Sequence, residues 1–591
     1  MKFVGKALVH TSDEEMKRVV HLLDLAYTLA KEEIAFLKFP ALAEAQKRAG
    51  AKLRETYVNK HAAKEFTMIL GDTMEDDLKK ELAESDFFSV LVDGSTDCSV
   101  IEKELIFVRF VKYDGKITTR LLSLKEVSHA NADGLLDVLI TSLLDAGLAN
   151  YKKHFVGFMS DGASVNFGAK GGLLSKLQNE QQMPWLVGIH CLNHRLELAV
   201  KDAFSGTALS EICTLLSNIH SVFERSPKRL RALKDLADVM GEDVQKPART
   251  NGTRWIQHKV RAAKILLKQY GLIIVSLSNI TDDPKIKGYV AQMTSFKTLL
   301  FLQLFLDLLL PIAKLSEHLQ GDSTNLLHAQ AALEATLVTL QNTQVHTYSE
   351  SLASLVNSAR AKIVNDELFV EFQSVSLKDI ERGLEMLDRN SKDIARKLAH
   401  KLSDRFGDVL LHSTSSSCVL KCLKVLDTKA WPKAKEDLIK FGCEELGVVM
   451  KHFAVILQDK VDCGEVEGEW LHLKLYVDSH MQHLSAEDCW SSLSQGKAFA
   501  NVMKVINLLR IFPVSNAVLE RCFSTMGKVK TDWRNRLGEK EVEHLIRLKK
   551  EGPALGSPEA QSLLQAAAET FFKSKPRRGE TAASSQALTQ A

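Results

Sequence analysis

Nine cysteines are scattered through 591 residues without one Cys-x-x-Cys pair. The nearest two, Cys418 and Cys422, stand at helical spacing. This excludes zinc-finger ligand spacing and argues against a disulfide framework. The thiols are expected to be free, mostly buried and in a reducing, intracellular compartment. The opening residues, Met-Lys-Phe-Val-Gly-Lys-Ala-Leu-Val-His, lack the apolar core of a signal peptide. The longest apolar stretch, Leu299 to Ile312, contains Gln303 and Asp307. It is too short to span a bilayer, so a buried helix and no membrane partner are expected. Net charge is only +3, so no global field marks a nucleic-acid binder and any basic patch must be local.

What is present has the balance of a soluble globular protein, 45% apolar and 26% charged. The length suits roughly three or four domains. Residues 13–85 carry apolar positions at three- and four-residue spacing and read as helices. The pattern changes at Asp86. A short apolar run ends in Asp93-Gly94, an alternating run follows, and Asp114-Gly115 signals a hairpin into a third strand. A helix, the strand ending at Asp161, a helix, a strand near Trp185–His190 and a further helix come next. The first three strands suit an antiparallel meander. The last two, reached through helices, should run parallel. The fold class expected is α/β plus all-α, a mixed sheet with helices on its faces, and helix from about 205 to 510. The end of the chain, after Lys573, is polar and reads as disordered.

Asp93 and Asp161 both fall at the C-terminal ends of apolar runs, where open α/β sheets keep their sites. Two carboxylates about 4 Å apart repel by about 4 kcal/mol at an effective dielectric near 20. Such a pair either holds a proton or holds a cation. Magnesium-like ions take oxygen ligands and leave positions open for phosphate, the basis of two-metal phosphoryl chemistry. Asp-Gly is also ordinary turn chemistry, and spacing alone leaves that alternative open.

The strand order resembles the RNase H-like fold, and the motifs resemble those of the hAT superfamily of DNA transposases, with likeness to the zinc finger protein 862-like group. Leu-Val-Asp93-Gly-Ser-Thr-Asp is similar to the first acidic motif and Ser-Asp161-Gly-Ala-Ser-Val-Asn to the second. Cys191 and His194, in Cys-Leu-Asn-His, resemble the family's Cys-x-x-His motif, and Arg254-Trp255 its Arg-Trp pair. Residues 512–550 resemble the hAT C-terminal region, with Glu520 where the family has its third acid.

The resemblance, over about 86–550, implies a catalytic core interrupted by a helical insertion. It divides the chain into an N-terminal helical region (1–85), the first part of the core (86–264), the insertion (265–495), a C-terminal region that completes the core and dimerises (496–555), and a short helix with a tail (556–591). It implies Asp93, Asp161 and Glu520 as catalytic ligands of two Mg²⁺ or Mn²⁺ ions, DNA as substrate, self-association and a nuclear location.

Cys191 and His194 make only half a zinc site by ligand count. The family suggests a place near DNA; the alternative is a buried Cys and a hydrogen-bonded His at a helix start. Arg254 could hold a phosphate and Trp255 stack on an extruded base, or the pair could be core Trp and salt-bridged Arg. Residues 521–550 hold Arg521, Lys528, Lys530, Arg534, Arg536, Lys540, Arg547, Lys549 and Lys550 against four acids. This is either a phosphate-contacting surface or a solvated helix face. Apolar positions there, such as Leu519, Met526, Val542 and Leu545, are expected to pack inside or against a second chain. Asp97 reads as a turn or cap, or as support for Asp93. The first 90 residues carry no Cys/His cluster, so the family's usual N-terminal zinc-binding module is not expected here. Two function classes stand: a metal-dependent transposase or nuclease, and a domesticated, non-catalytic scaffold for DNA or protein.

Overall fold

The computed structural model describes residues 2–96, 101–241, 243–248, 255–321, 325–345, 349–364, 369–407, 418–531 and 536–574. They form two compact units, one of residues 1–189 with 428–591 and one of residues 190–427. The expected boundaries of the helical insertion were 265 and 495. The compact units divide at 189/190 and 427/428.

The first unit is built on a five-stranded mixed sheet in the order β3-β2-β1-β4-β5. Its strands are β1 (Phe88–Thr96), β2 (Glu102–Val111), β3 (Ile117–Glu126), β4 (Phe155–Ser160) and β5 (Val187–His190). β1, β2 and β3 form the expected antiparallel meander, and β1 pairs in parallel with β4. The β2–β3 turn uses Gly115 at φ 76°, with Asp114 accepting from the Lys116 amide at 3.0 Å. The crossover to β4 is the helix Ala132–Asp145. The Asn131 side chain caps it by accepting from the Gly134 amide at 2.9 Å. Its buried residues Leu135, Leu136, Leu139 and Leu143 recur at helical spacing. Ser142 meets Ser123 of β3 at 2.7 Å, which sets this helix on the face of the sheet that carries Ser123.

Helices 2–31, 39–48 and 60–84 share one hydrophobic core with the helices at 539–551 and 558–574. Tyr27, Phe39, Phe66, Leu548 and Phe571 are buried in it. The region between 428 and 512 closes the end of the sheet where β1 and β4 begin. Lys460 donates to the Asp86 and Lys153 carbonyls, His452 Nε2 meets the Trp185 carbonyl at 2.8 Å, and Arg510 donates to the Gly115 carbonyl at 3.0 Å. Trp431 packs edge-on against Trp470 and Trp490, giving these short helices a core of their own. They therefore belong with the sheet, although their periodicity alone reads as a continuation of the helical insertion.

The second unit is helical apart from the two-stranded ribbon Val370–Phe372 and Val375–Leu377. Its axis is the helix Phe296–Leu319. Among the described residues this is the one helix long and apolar enough to cross a membrane, and 72% of its apolar window is buried. Helices 192–204, 208–224, 255–268, 326–345 and 380–406 surround it, so its apolar surface is used inside the protein.

Candidate functional site

Asp93 and Asp161 occupy neighbouring strand tips. The β1–β4 register pairs Val90 with Phe158 and Leu91 with Met159. Two residues on, the same register sets Asp93 against Asp161, just beyond the end of β4. Neighbouring strands lie about 4.8 Å apart, and side chains two residues apart share a face. Asp93 therefore points to the side of Leu91 and Ser89, and Asp161 to the side of Met159 and Gly157. On that side a Cβ at Gly157 would lie 3.0 Å from the Phe512 ring, so the segment leading into the helix Ala517–Val529 covers this face. Glu520 stands in the first turn of that helix, half-buried.

The charges act on one another. Burial first, then Asp161 and Glu520, push the Asp93 carboxyl up to about 8, against a smaller pull from the Gly94 amide. Three acids drawn from residues 93, 161 and 520 thus form one electrostatic unit. Asp161 is held by its own loop. Its Oδ1 accepts from the Ala163 amide and from Asn166 Nδ2, both at 3.0 Å, and Asn166 Nδ2 also donates to Ser160 Oγ at 2.7 Å. Gly162, at φ 78°, supplies the left-handed residue that turns the chain back at the strand tip. Asn166 is buried, and its Oδ1 has no partner among the described residues. Sequence reasoning quoted Asn166 only as the last letter of its motif; the hydrogen bonds to Asp161 give it a positioning role.

A fourth acid went unrecognised in the sequence. Glu104 of β2 pairs across the ladder with Gly94 and is buried. Burial, then Asp93, Asp161 and Glu102, push its carboxyl up to about 8. Within an alternating strand it reads as an outward polar position, and nothing local marks it otherwise.

Hard oxygen donors alone make up this set, which fits Mg²⁺ or Mn²⁺ rather than zinc. Asp72, Glu75 and His544 form a tighter group, their ligand atoms all within 4.8 Å. There Lys540 already supplies the positive charge, 2.8 Å from Glu75 and 3.5 Å from Asp72. Against the upward push of burial, Lys540 and Lys79 hold Glu75 down at about 2. That group is a salt-bridge network whose acids are paired without a cation.

Residues 32–168 match the ZMYM1/FAM200 RNase-like domain, and residues 474–551 match the hAT family C-terminal dimerisation region. Both matches are consistent with an hAT transposase-derived protein. The first match contains Asp93 and Asp161, and the second contains Glu520. The RNase-like match begins at residue 32, within the N-terminal helical region 1–85. The dimerisation region supports self-association. Yet Val514, Leu519, Met526, Val542, Leu545 and Ile546 are buried within the chain itself.

The remaining expected site residues divide. Arg254, Arg534 and Asp97 lie outside the described residues. Cys191, buried, is the N-cap of the helix Leu192–Phe204 in the second unit, and the His194 ring lies 5.7 Å from that of His190. Trp255 opens the helix Trp255–Lys268. Its amide donates to Glu197 at 3.1 Å, and the Lys259 ammonium lies over its ring at 4.2 Å. Arg521 is half-buried and Lys528 exposed, the latter 3.9 Å from Glu33. Lys530 is only 8% exposed, which removes it from any open basic surface. Arg547 is fully buried against Glu543 at 2.8 Å, and Lys540 is engaged as above. Of the basic residues in this region, Lys530 and Arg547 are buried, and Lys540 is exposed but paired.

Proposed function

We propose that this hAT-derived protein is a nuclear, metal-dependent enzyme of DNA phosphodiester cleavage and strand transfer, with Asp93, Asp161 and Glu520 as its catalytic acids. The observation that supports it is the β1–β4 register, which sets Asp93 against Asp161, together with the rise of the Asp93 carboxyl under the charges of Asp161 and Glu520. Repelling acids that the fold brings together at strand tips are a site for hard cations. Two Mg²⁺ or Mn²⁺ ions held there would activate the attacking oxygen and stabilise the leaving oxygen of an in-line displacement. The chain's own part is orientation. Asn166 and the Ala163 amide fix Asp161, and the helix Ala517–Val529 brings Glu520 back from far along the sequence. Trp255 and Arg254 are proposed to contact DNA, the ring by stacking on a base and the guanidinium by holding a phosphate.

A second reading is a domesticated scaffold that keeps the fold for binding and self-association without catalysis. What favours it is the internal pairing of Lys540 and Arg547 and the burial of Lys530, which leave less basic surface for DNA. The two readings part in a nicking assay with full-length protein, plasmid DNA and Mn²⁺. The enzyme reading expects cleavage that vanishes in Asp161→Asn and Glu520→Gln. Identical traces for wild type and both variants would leave the scaffold.

A further inference from the structure

A DNA backbone is met by cations that are exposed and not already paired. Lys530, Arg547 and Lys540 do not qualify. The helix Trp255–Lys268 has three residues that do. Its sequence holds Lys259, Arg261, Lys264 and Lys268 and no Asp or Glu. Among the described helices of ten residues or more, it alone carries four cations and no acid. Lys259 is 6% exposed and is taken up by the Trp255 ring. Arg261, Lys264 and Lys268 are exposed, and every other residue of the helix is buried or half-buried. Among the described residues no carboxylate lies within ion-pair distance of any of the three.

Residues three and four apart are neighbours on a helix surface. Arg261 and Lys264 stand three apart and Lys264 and Lys268 four apart, so the three form one stripe. At about 1.5 Å of rise per residue the stripe is about 10.5 Å long. A solvated helix face usually sets opposite charges at these spacings. Here both neighbouring pairs are of like charge, which destabilises the helix and gains nothing inside the folded chain. Lys268 profits from the helix C-terminus, but Arg261 and Lys264 lie before the last turn. An anionic membrane would call for exposed apolar side chains beside the cations. The apolar residues Ile256, Val260, Ile265 and Leu266 of this helix are buried in the protein instead. A row of phosphates calls for the cations alone.

We propose that the stripe Arg261–Lys264–Lys268 is a phosphate-contacting face for duplex DNA, carried on the helix that Trp255 opens. This rests on the reading of the protein as one that binds DNA, and not on its catalytic acids. Each cation neutralises one phosphate and releases that phosphate's counter-ion. Such contacts read no bases, so the face holds and orients DNA of any sequence.

The test is fluorescence anisotropy of the full-length protein with a labelled DNA duplex of arbitrary sequence, in EDTA, from about 50 to about 200 mM KCl. Each phosphate contact contributes about 0.9 to the slope of log affinity against log salt. The triple change Arg261→Gln, Lys264→Gln and Lys268→Gln should therefore reduce that slope by about 2–3, and weaken binding at about 100 mM salt at least tenfold. Its melting temperature should not fall, because only exposed, mutually repelling cations are removed; a fall would give these residues a structural role and overturn the proposal. The control is Lys433→Gln, Lys435→Gln and Lys440→Gln, the same charge change at exposed lysines beside Glu436 and Asp437. It should leave the slope unchanged. Equal losses in both triples would make the effect one of net charge and overturn the stripe. A wild-type slope in the first triple would also overturn it, and leave DNA binding to another surface. Phosphatidylserine vesicles bound by wild type and lost by the first triple, with DNA binding intact, would assign the face to a membrane and overturn it. No DNA binding by wild type would overturn both the face and the DNA reading. A reduced slope in a protein that cleaves nothing would uphold the face and remove only the catalysis.

Discussion

Arg547 donates to the Leu121 carbonyl at 2.6 Å, tying the dimerisation region to the edge strand of the sheet. A second bond reaches the Leu122 carbonyl at 3.2 Å, and Glu543 accepts from the same guanidinium at 2.8 Å while its other oxygen takes the Leu124 amide at 3.0 Å. The free edge of β3 is thereby covered by side chains rather than by another strand.

Arg547→Ala strands Glu543 as a buried, unpaired charge. Removing one partner of such a pair costs about 3–5 kcal/mol. The expected outcome is an early-melting first unit in differential scanning calorimetry, with the transition of the second unit unmoved. A shift of both together, or of neither, would contradict this assignment.

The pH dependence has a fixed sign. Asp93 and Glu104 are each raised to about 8 in the fold. In the unfolded chain such carboxyls titrate near about 4. Between those limits the folded protein binds more protons than the unfolded one. The contribution is therefore full below about pH 4 and is lost as pH rises through about 8. In EDTA the first unit should lose stability from about pH 4 to about pH 8. Saturating Mg²⁺ should flatten that slope, because cations replace protons. Calorimetric binding at pH 7 in buffers of different ionisation enthalpy should report proton release on Mg²⁺ binding.

Asn166→Ala removes two hydrogen bonds at the strand tip, and with them an unpartnered buried oxygen. Each bond is worth about 1 kcal/mol, while the lost orphan offsets part of that. Stability should change little, but Mn²⁺ affinity should fall several-fold as Asp161 gains freedom. Unchanged affinity in the titration would remove Asn166 from the site.

Lys259 covers one face of Trp255, so at most the other face can meet a base. On the DNA reading, Trp255→Ala should weaken hairpin-DNA binding by about 1–3 kcal/mol, and Trp255→Phe by less. Fluorescence anisotropy with a labelled hairpin measures both. Equal binding by wild type and Trp255→Ala would leave Trp255 as a structural lid over Lys259.

Asp93 and Asp161 were legible because each ends an apolar run at a turn residue, a purely local signal. Glu520 was legible only through resemblance. Its neighbourhood is an ordinary amphipathic helix start, and its charge reaches Asp93 only by a chain path of several hundred residues. Glu104 was not legible at all. Alternation marks it as outward, and only the packed sheet shows both faces of β2 buried. The residues at 428–495 illustrate a related point. Helical periodicity states that a face is buried, not which partner buries it, and here the partner is the far end of the sheet. The basic run at 521–550 likewise reads as one patch in sequence, while the structure turns Arg547 and Lys530 inward and Lys528 outward.

The shared core of helices 2–84 and 539–574 has a consequence for synthesis. A ribosome releases Asp93 and Asp161 early, together with most of their sheet, and Glu520 only near the end. Residues 190–427 emerge between them as a compact unit able to form while the rest waits. Any product stopped before about residue 550 lacks the helices that close this core and cover the β3 edge. Prematurely terminated copies should therefore be unstable and prone to removal, so assembly of the acids is coupled to completion of the chain.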